Sequence, residues 1–200
     1  HDDVFFINDM VGWAAGGPAG TIRRTEDGGA TWTLQYTAGQ YLRSIEFIDA
    51  QHGYCGSLSG SLLRTVDGGA TWTDVAPLIN PQPPGICGLS APTPTTIYGV
   101  GLWASPAYVV KSTDGGLSWS FINMSAQATA LVDVHFISAD TGFVTGTAAP
   151  AGNGGVILYT TDGGLSWQSK HFTGVISDIV WKIQRLDADH WYASVYSEPM

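Results

Sequence analysis

The octapeptide "TEDGGATW" occupies Thr25–Trp32, and close variants of it recur three times along the chain. The other copies are "TVDGGATW" at Thr65–Trp72, "STDGGLSW" at Ser112–Trp119 and "TTDGGLSW" at Thr160–Trp167. A carboxylate, two glycines and an indole in one short stretch are compatible with a binding site. Four copies of it favour a repeated structural element instead, and their spacing decides the fold.

The four octapeptide tryptophans are separated by 40, 47 and 48 residues, the period expected for a unit of about four strands. Upstream of three octapeptides lies an alternating run followed by a polar turn and a Gly-aromatic run. The three runs are "DVFFINDMVGWAAG" (Asp3–Gly16), "SIEFIDAQHGYCG" (Ser44–Gly56) and "DVHFISADTGFVTG" (Asp133–Gly146). Period-two alternation and the turn residues between the runs predict four short antiparallel strands in each unit. A third, degraded unit starts at Cys87.

Radial repetition of four-stranded units predicts an all-β fold, a β-propeller of four-stranded antiparallel blades. A β-solenoid is the alternative, although its repeats are usually shorter. We expect a single propeller over 1–200, with blades at about 1–38, 41–80, 84–125 and 128–172 and a partial fifth at 175–200. Four and a half blades leave an open arc with exposed apolar faces. We therefore expect either that further blades complete the ring, seven in all for example, or that a partner chain covers the open end.

The composition narrows the classes of partner. The 200 residues include 8 Lys and Arg against 17 Asp and Glu, a net charge of −9. An acidic chain without a basic stripe is a poor binder of nucleic acid or of an anionic membrane surface. The sequence contains no run of 18 apolar residues, so it predicts no membrane-spanning helix. The chain starts at His1, which a removed signal peptide would explain, as would trimming, and we expect an extracytoplasmic location.

The two cysteines, Cys55 and Cys87, both lie in apolar strand-like runs. One disulfide is conceivable, but buried free thiols are the preferred interpretation. Without a CxxC spacing they give no zinc signal, and the histidines show no ligand spacing either. We expect neither a bound metal nor a cofactor.

Each octapeptide residue has a structural use in a tight turn. In the first copy, Asp27 accepts backbone N–H groups and the glycines adopt positive φ. Trp32 buries a large ring and leaves one N–H that needs an acceptor. We assign this turn role to the Asp, second Gly and Trp of every copy: Asp27, Gly29, Trp32, Asp67, Gly69, Trp72, Asp114, Gly116, Trp119, Asp162, Gly164 and Trp167.

The pattern Ser/Thr-x-Asp-x-Gly-x-Thr/Ser-Trp resembles the Asp-box, also called the BNR repeat. That motif occurs in sialidases, xyloglucan-cleaving glycoside hydrolases, sortilin-type receptors and the photosystem II assembly/stability factor family. The wider unit is most similar to the repeat of the last family, which also occurs in many secreted bacterial proteins. The resemblance implies a propeller with each box in the turn between the third and fourth strands, on the face away from the active site. It also implies a binding factor rather than an enzyme, although the basic patch that contributes to that family's binding is missing here.

No catalytic residues can be assigned. The sequence offers only three glutamates and no arginine cluster for sialidase chemistry, and no nucleophile elbow. Glycoside hydrolysis needs two carboxylates roughly 5–10 Å apart. Carboxylates on first strands, Glu46, Asp133 and Asp178, are the ones expected near the central channel. The candidate binding residues are Tyr41, Arg43, Glu46, Trp103, Asp133 and His135.

These observations predict a non-catalytic, extracytoplasmic binding or assembly module that contacts a protein or glycan through the face opposite the octapeptides. Two alternatives remain open. One is a fragment of a secreted glycoside hydrolase, sialidase-like or xyloglucanase-like, with Glu46 and Asp133 as its carboxylates. The other is a structural domain of a large surface protein.

Overall fold

The computed structural model describes residues 2–101, 106–150, 153–187 and 189–197. The chain forms four four-stranded antiparallel sheets and a two-stranded one, each a meander in chain order. The first sheet contains β1 (Asp3–Phe6), β2 (Gly12–Gly16), β3 (Thr21–Thr25) and β4 (Thr33–Thr37). The second contains β5 (Leu42–Phe47), β6 (Gly53–Ser57), β7 (Leu62–Thr65) and β8 (Thr73–Asp74). The third contains β9 (Gly88–Ser90), β10 (Ile97–Val100), β11 (Tyr108–Ser112) and β12 (Ser120–Asn123). The fourth contains β13 (Ala128–Phe136), β14 (Gly142–Ala148), β15 (Gly155–Thr160) and β16 (Gln168–Phe172), and the fifth pairs β17 (Asp178–Arg185) with β18 (Trp191–Ser197).

Three hydrophobic cores lie between successive sheets rather than within a two-layer sandwich. The first joins units one and two, the second units two and three, and the third units three and four. Each sheet is therefore a blade that buries apolar side chains against its neighbours. This arrangement confirms the predicted β-propeller. We call the first strand of each unit, β1, β5, β9, β13 and β17, its inner strand.

Stacked aromatic rings fill two of these inter-blade cores. The ring of Trp13 in β2 stacks on Phe47 of the next unit with centroids 3.6 Å apart, and Tyr98 stacks on Phe136 at 3.5 Å. Unit three has Ala91 where the first, second and fourth units carry a phenylalanine, and Tyr54 instead meets the indole of Trp119 edge-on at 6.2 Å. The degraded sequence of unit three therefore keeps an aromatic contact with a different partner.

The outer faces of the first and fifth units are open. Val4 is 55% exposed, whereas Ile45, at the same position of the second inner strand, is 2% exposed. Tyr192 of β18 is 63% exposed, although it takes the position of the buried Trp13 and Tyr54. Near the axis one side-chain contact joins the two units: the Nζ atom of Lys182 lies 3.7 Å from a carboxylate oxygen of Asp3.

Cys55 and Cys87 are both buried free thiols, as predicted. The fourth strand of the second unit, Thr73–Asp74, is two residues long, because the chain turns at Val75 into a 3-10 turn at Ala76–Leu78. Within the described ranges, no helix has the length and apolarity needed to cross a membrane.

Candidate functional site

Each octapeptide closes the turn between the third and fourth strands of its unit through its own side chains. In the second copy, Asp67 Oδ1 accepts the Thr65 hydroxyl at 2.8 Å and the Thr71 N–H at 2.9 Å. Its Oδ2 accepts the Thr71 hydroxyl at 2.6 Å. Gly69 donates its N–H to Thr65 Oγ1 at 2.9 Å, and the Trp72 indole N–H donates to the Gly69 carbonyl at 3.1 Å. The motif's polar groups are thus largely bonded to one another.

The other three copies repeat this carboxylate geometry, which lowers the pKa of each aspartate. In every copy the Thr or Ser directly before the Trp supplies both a hydroxyl and a backbone N–H to the carboxylate, and these two bonds are the main causes of a pKa of about 2. The indoles of Trp32 and Trp119 donate to Gly29 and Gly116. The indole N–H of Trp167, beside Gly164, has no hydrogen-bond acceptor among the described residues. The aspartates that complete the set are Asp27, Asp114 and Asp162.

The octapeptides also bind the turn that joins the first and second strands of the same unit. The first motif glycine donates its N–H to a carbonyl of that turn at 2.8–2.9 Å in all four units. The pairs are Gly28 with Met10, Gly68 with Gln51, Gly115 with Thr95 and Gly163 with Asp140. Both turns therefore lie at one end of each blade, which we call the octapeptide end.

In each of the first three units an aromatic side chain of the second strand donates a hydrogen bond to the octapeptide of the following unit. Trp13 Nε1–H donates to the Gly68 carbonyl at 3.1 Å, and the Tyr54 hydroxyl donates to the Gly115 carbonyl at 2.8 Å. The Tyr98 hydroxyl donates to the Ala139 carbonyl at 2.7 Å and lies 3.3 Å from the Gly163 carbonyl, and both carbonyls belong to the following unit. These bonds join each octapeptide to the preceding blade. The octapeptides therefore stabilise the contact between blades.

The inner strands of all five units surround a central cavity of about 560 Å³. Each of the first four units sends one inner-strand side chain to a backbone N–H of the next unit. The four acceptor–donor pairs are Asp3 with Ile45, Glu46 with Ala91, Ser90 with Phe136 and Asp133 with Ile183, at 2.9–3.3 Å. Every one of these four acceptor residues lines the cavity. The ring is thus held together by polar side chains that also form its inner surface.

One lysine forms ion pairs with two of the three carboxylates that line the cavity. Lys182 Nζ lies 3.4 Å from Asp133 and 3.7 Å from Asp3. Burial lowers the pKa of Lys182, but the charges of Asp133 and Asp3 outweigh it, and the net shift is upward. Burial raises the pKa of Asp133 despite Lys182 and the Ile183 N–H. These groups make an ion-pair cluster between the first, fourth and fifth units.

Glu46 has a different environment from the other two carboxylates. Burial raises the pKa of its carboxyl to about 8, against the opposing effect of the Ala91 N–H. His135, two residues beyond Asp133 on β13, has its pKa lowered by burial and then by the charges of Arg185 and Lys182. At neutral pH the cavity therefore holds a protonated Glu46 and a neutral His135 beside the charged cluster.

The structure brings only part of the predicted set together. Glu46, Asp133 and His135 line the cavity. Tyr41 and Arg43 instead meet Asp2 at the start of β5, the end of the strand away from the octapeptides. Trp103 lies outside the described residues.

A β-bulge explains why Arg43 is turned away from the cavity. The pairing register of β5 shifts between Leu42 and Ser44, and that of β17 shifts between Val180 and Lys182. Arg43 and Trp181 are the extra residues, and the guanidinium lies 5.6 Å from the indole centroid. The bulges bring these two side chains together and shift the inward–outward alternation of the residues that follow them.

Two charged residues of the cavity, Asp3 and Lys182, were not singled out from the sequence. Asp3 and Asp133 occupy the same place in "DVFF" and "DVHF", so an alignment of the units was the available signal. Asp178, which was expected near the channel, lies at the start of β17 and accepts a hydrogen bond from the Ser197 hydroxyl. No group of three His, Cys, Asp or Glu able to hold a metal ion occurs among the described residues.

Comparisons with known proteins place the chain in a fold class. No family model and no curated protein matches it. A structure of YCF48 bound to a D1 peptide is 16% identical with a TM-score of 0.55, and the match covers 98% of this chain and 74% of that one. The WD40 β-propeller domain of Doa1 is 17% identical with a TM-score of 0.65, covering 96% and 60%. The GH74 xyloglucanase from Xanthomonas campestris is 15% identical with a TM-score of 0.62, covering 96% and 38%.

These likenesses define the class as β-propeller. The chain spans only part of each of these proteins, from 74% of the YCF48 chain down to 38% of the xyloglucanase. At such identities the comparison carries the fold alone.

Proposed function

We propose that the chain is a non-catalytic binding or assembly module, a propeller of Asp-box repeats that holds a polypeptide partner. The observation that supports the proposal is that the polar residues fall into two groups with different positions. Octapeptide side chains are bonded within their own turns, whereas charged side chains from different units converge on the central cavity. The YCF48 structure, a similar fold with a peptide bound, supports a polypeptide as the ligand.

The surface proposed for the partner is the end of the ring opposite the octapeptides. The octapeptide end is occupied by turn-to-turn hydrogen bonds in all four units. At the other end, Tyr41 and Arg43 are partly exposed and lie beside Asp2. An aromatic ring and a guanidinium are side chains enriched at the energetic centres of protein interfaces.

A peptide-display selection against the purified chain tests this proposal. Selected peptides are expected to lose affinity for Tyr41→Ala and Arg43→Ala, and to keep it for the exchange Glu26→Gln at the octapeptide end. Glu26 is 71% exposed and pairs with Arg24, so it is a suitable surface control. Peptides that bind both variants unchanged would remove the site, and selection of glycans but no peptides from parallel panels would replace the ligand class.

The open faces of the first and fifth units carry a second part of the proposal. Val4 and Tyr192 are exposed at positions that are buried in other units, and we propose that further strands of the same repeat type cover them. The intact mass of the natural protein distinguishes further strands of the same chain from a separate partner. A stable 200-residue monomer in sedimentation equilibrium counts against both.

An extracytoplasmic location is also proposed, supported by the resemblance of the repeat to those of secreted bacterial proteins. Fractionation of source cells, with an antibody against the chain, tests it. Recovery of the protein in the cytoplasmic fraction alone would overturn it.

Glycoside hydrolysis is the second candidate function, because Glu46 and Asp133 line the same cavity and Glu46 keeps a proton at neutral pH. Asp133, however, already binds Lys182 and the Ile183 N–H. Hydrolysis of a glycan panel that disappears in Glu46→Gln would favour this candidate over the binding module.

A further inference from the structure

The second strand of the fifth unit has a free edge. β18 pairs with β17 alone, whereas the second strands of the other four units are each paired on both sides. The residues of β18 after Trp191 are exposed, while those of β2 and β6 are buried. An edge strand keeps one row of backbone N–H and C=O groups unpaired, and charged residues or prolines usually protect it. β18, with the sequence "WYASVYS", carries neither, so its edge is open to strand addition.

The other units show which kind of strand covers this edge. In the first three units, an arginine or lysine of the third strand lies directly opposite the aromatic residue of the second strand. The pairs are Trp13 with Arg24, Tyr54 with Arg64 and Tyr98 with Lys111. The cations of Arg24 and Lys111 lie 5.5 and 5.3 Å from the ring centroids of their partners. A cation beside an aromatic ring is therefore a recurring part of this strand contact.

The fourth unit differs on both strands. Its second-strand residue is Phe143, and Tyr159 of the third strand lies opposite it. A cation thus accompanies the tryptophan and the two tyrosines of this series, and not the phenylalanine.

Tyr192 occupies the same position in the fifth unit. It lies opposite Gln184, as Tyr54 lies opposite Glu46. Its side chain is 63% exposed, against 1% for Tyr54. The ring contacts of this hairpin are made by other residues, Trp191 among them. A cation on an incoming strand would therefore meet an uncovered tyrosine ring.

The charge of the chain favours a cationic segment. The net charge is −9, and the turn that leads into β18 presents two exposed carboxylates, Asp187 and Asp189. Arg185, a cation of the same hairpin, donates to the Asp187 carbonyl at 2.8 Å and lies 5.8 Å from the Trp191 ring centroid. Its guanidinium is engaged there rather than at Tyr192. A partner segment of positive charge is thus electrostatically complementary to this surface.

We propose that the edge of β18 binds an extended segment of a polypeptide partner, antiparallel to β18, with an arginine or lysine opposite Tyr192. The partner as the source of this segment rests on the proposed function. In strand addition, backbone hydrogen bonds supply affinity and alternate side chains supply specificity. The cation also sets the register, since a shift by one residue would direct it to the opposite face of the sheet. As in β7, apolar residues precede the cation and a threonine or serine follows it.

An NMR titration of the isotope-labelled chain with the peptide "GSLLRTV", copied from Gly60–Val66, tests the proposal. The amide signals of β18 are expected to shift, and those of β6, which is paired on both sides, to stay unchanged. A second peptide with Arg64→Gln should bind about two- to fivefold more weakly, because it lacks the cation that contacts the ring.

The variant Tyr192→Leu tests whether the peptide arginine contacts this particular ring. It should weaken binding of the arginine peptide about two- to fivefold more than binding of the glutamine peptide. Tyr196→Leu is the matched control, because Tyr196 is also exposed, at 49%, on the same strand. It should affect the two peptides equally. Far-UV circular dichroism spectra that match the parent establish that both variants are folded.

Three results would overturn the inference: no shift in β18 with either peptide, equal effects of Tyr192→Leu on the two peptides, or an equally large difference in Tyr196→Leu. A dimer in sedimentation that the peptide dissociates would overturn the choice of a partner, because a second copy would then occupy the edge. Failure here is separable from failure of the proposed function. A partner that depends on Tyr41 and Arg43 but is unaffected by the peptide would refute only the strand site. Peptide binding that depends on Tyr192, without any natural polypeptide partner, would refute only the source.

Discussion

Removing the hydroxyl of Tyr54 tests whether the bond between blades stabilises the ring. Tyr54 is 1% exposed and donates to the Gly115 carbonyl of the next unit at 2.8 Å. In Tyr54→Phe the ring and its contact with Trp119 remain, but one partly buried acceptor loses its donor. Loss of such a hydrogen bond costs about 1 kcal/mol. For a chain of this length, each kcal/mol lowers the melting temperature by about 2–4 °C.

The assay is urea unfolding followed by tryptophan fluorescence, with calorimetry for the melting temperature. Tyr159→Phe is the matched control, because the Tyr159 hydroxyl donates to Gln168 Oε1 at 2.8 Å in an exposed pair. Its expected cost is within about 0.5 kcal/mol. If Tyr54→Phe costs less than about 0.3 kcal/mol, the bond between blades does not stabilise the ring and the reasoning is refuted.

Three further predictions concern titration and reactivity. The octapeptide aspartates have folded pKa values of about 2, below their unfolded values, so their stabilising effect is complete above about pH 4 and is lost as pH falls toward 2. Asp67→Asn should therefore lower the free energy of unfolding at pH 7 and flatten its acid dependence in urea titrations, and an unchanged slope between pH 4 and 2 would contradict this. Glu46 is the opposite case: its raised pKa means that stability falls as pH rises from about 4.5 to about 8, so Glu46→Gln should gain stability relative to the parent over that window, and a constant difference at pH 5 and 8.5 would exclude it. Cys55 and Cys87 are buried and their pKa values are raised, chiefly by burial, so Ellman's reagent should react with them only in denaturant, and rapid labelling of the native chain would show that they are accessible.

The fold could be predicted from sequence because its determinants are local and repeated. An octapeptide such as Thr65–Trp72 forms most of its hydrogen bonds within itself, so its residue types alone indicate the turn. Alternation and the Gly-aromatic runs then fixed the strand order. Glu46 and Asp133 were also placed near the axis, because inner strands line the centre of a propeller.

The rest of the cavity depended on features that no single unit shows. The bulge before Lys182 changes which side chains of β17 face inward, and alternation from the sequence cannot locate it. The pairing of Lys182 with Asp3 joins the first and last units, far apart in sequence. Arg43 was named as a candidate binding residue, and its bulge position next to Trp181 is likewise a matter of register.

The fourth unit breaks the series of aromatic donors. Its equivalent residue is Phe143, which has no hydroxyl and packs on Trp191 with ring centroids 4.4 Å apart. In a repeat protein, stability is approximately a sum of unit and nearest-neighbour terms, so a junction without the bond opens first. Amide hydrogen exchange should therefore follow a spatial order, with β17 and β18 exchanging through local opening while the first three junctions stay protected. Local unfolding is then expected to begin at the fifth unit and to proceed toward the first.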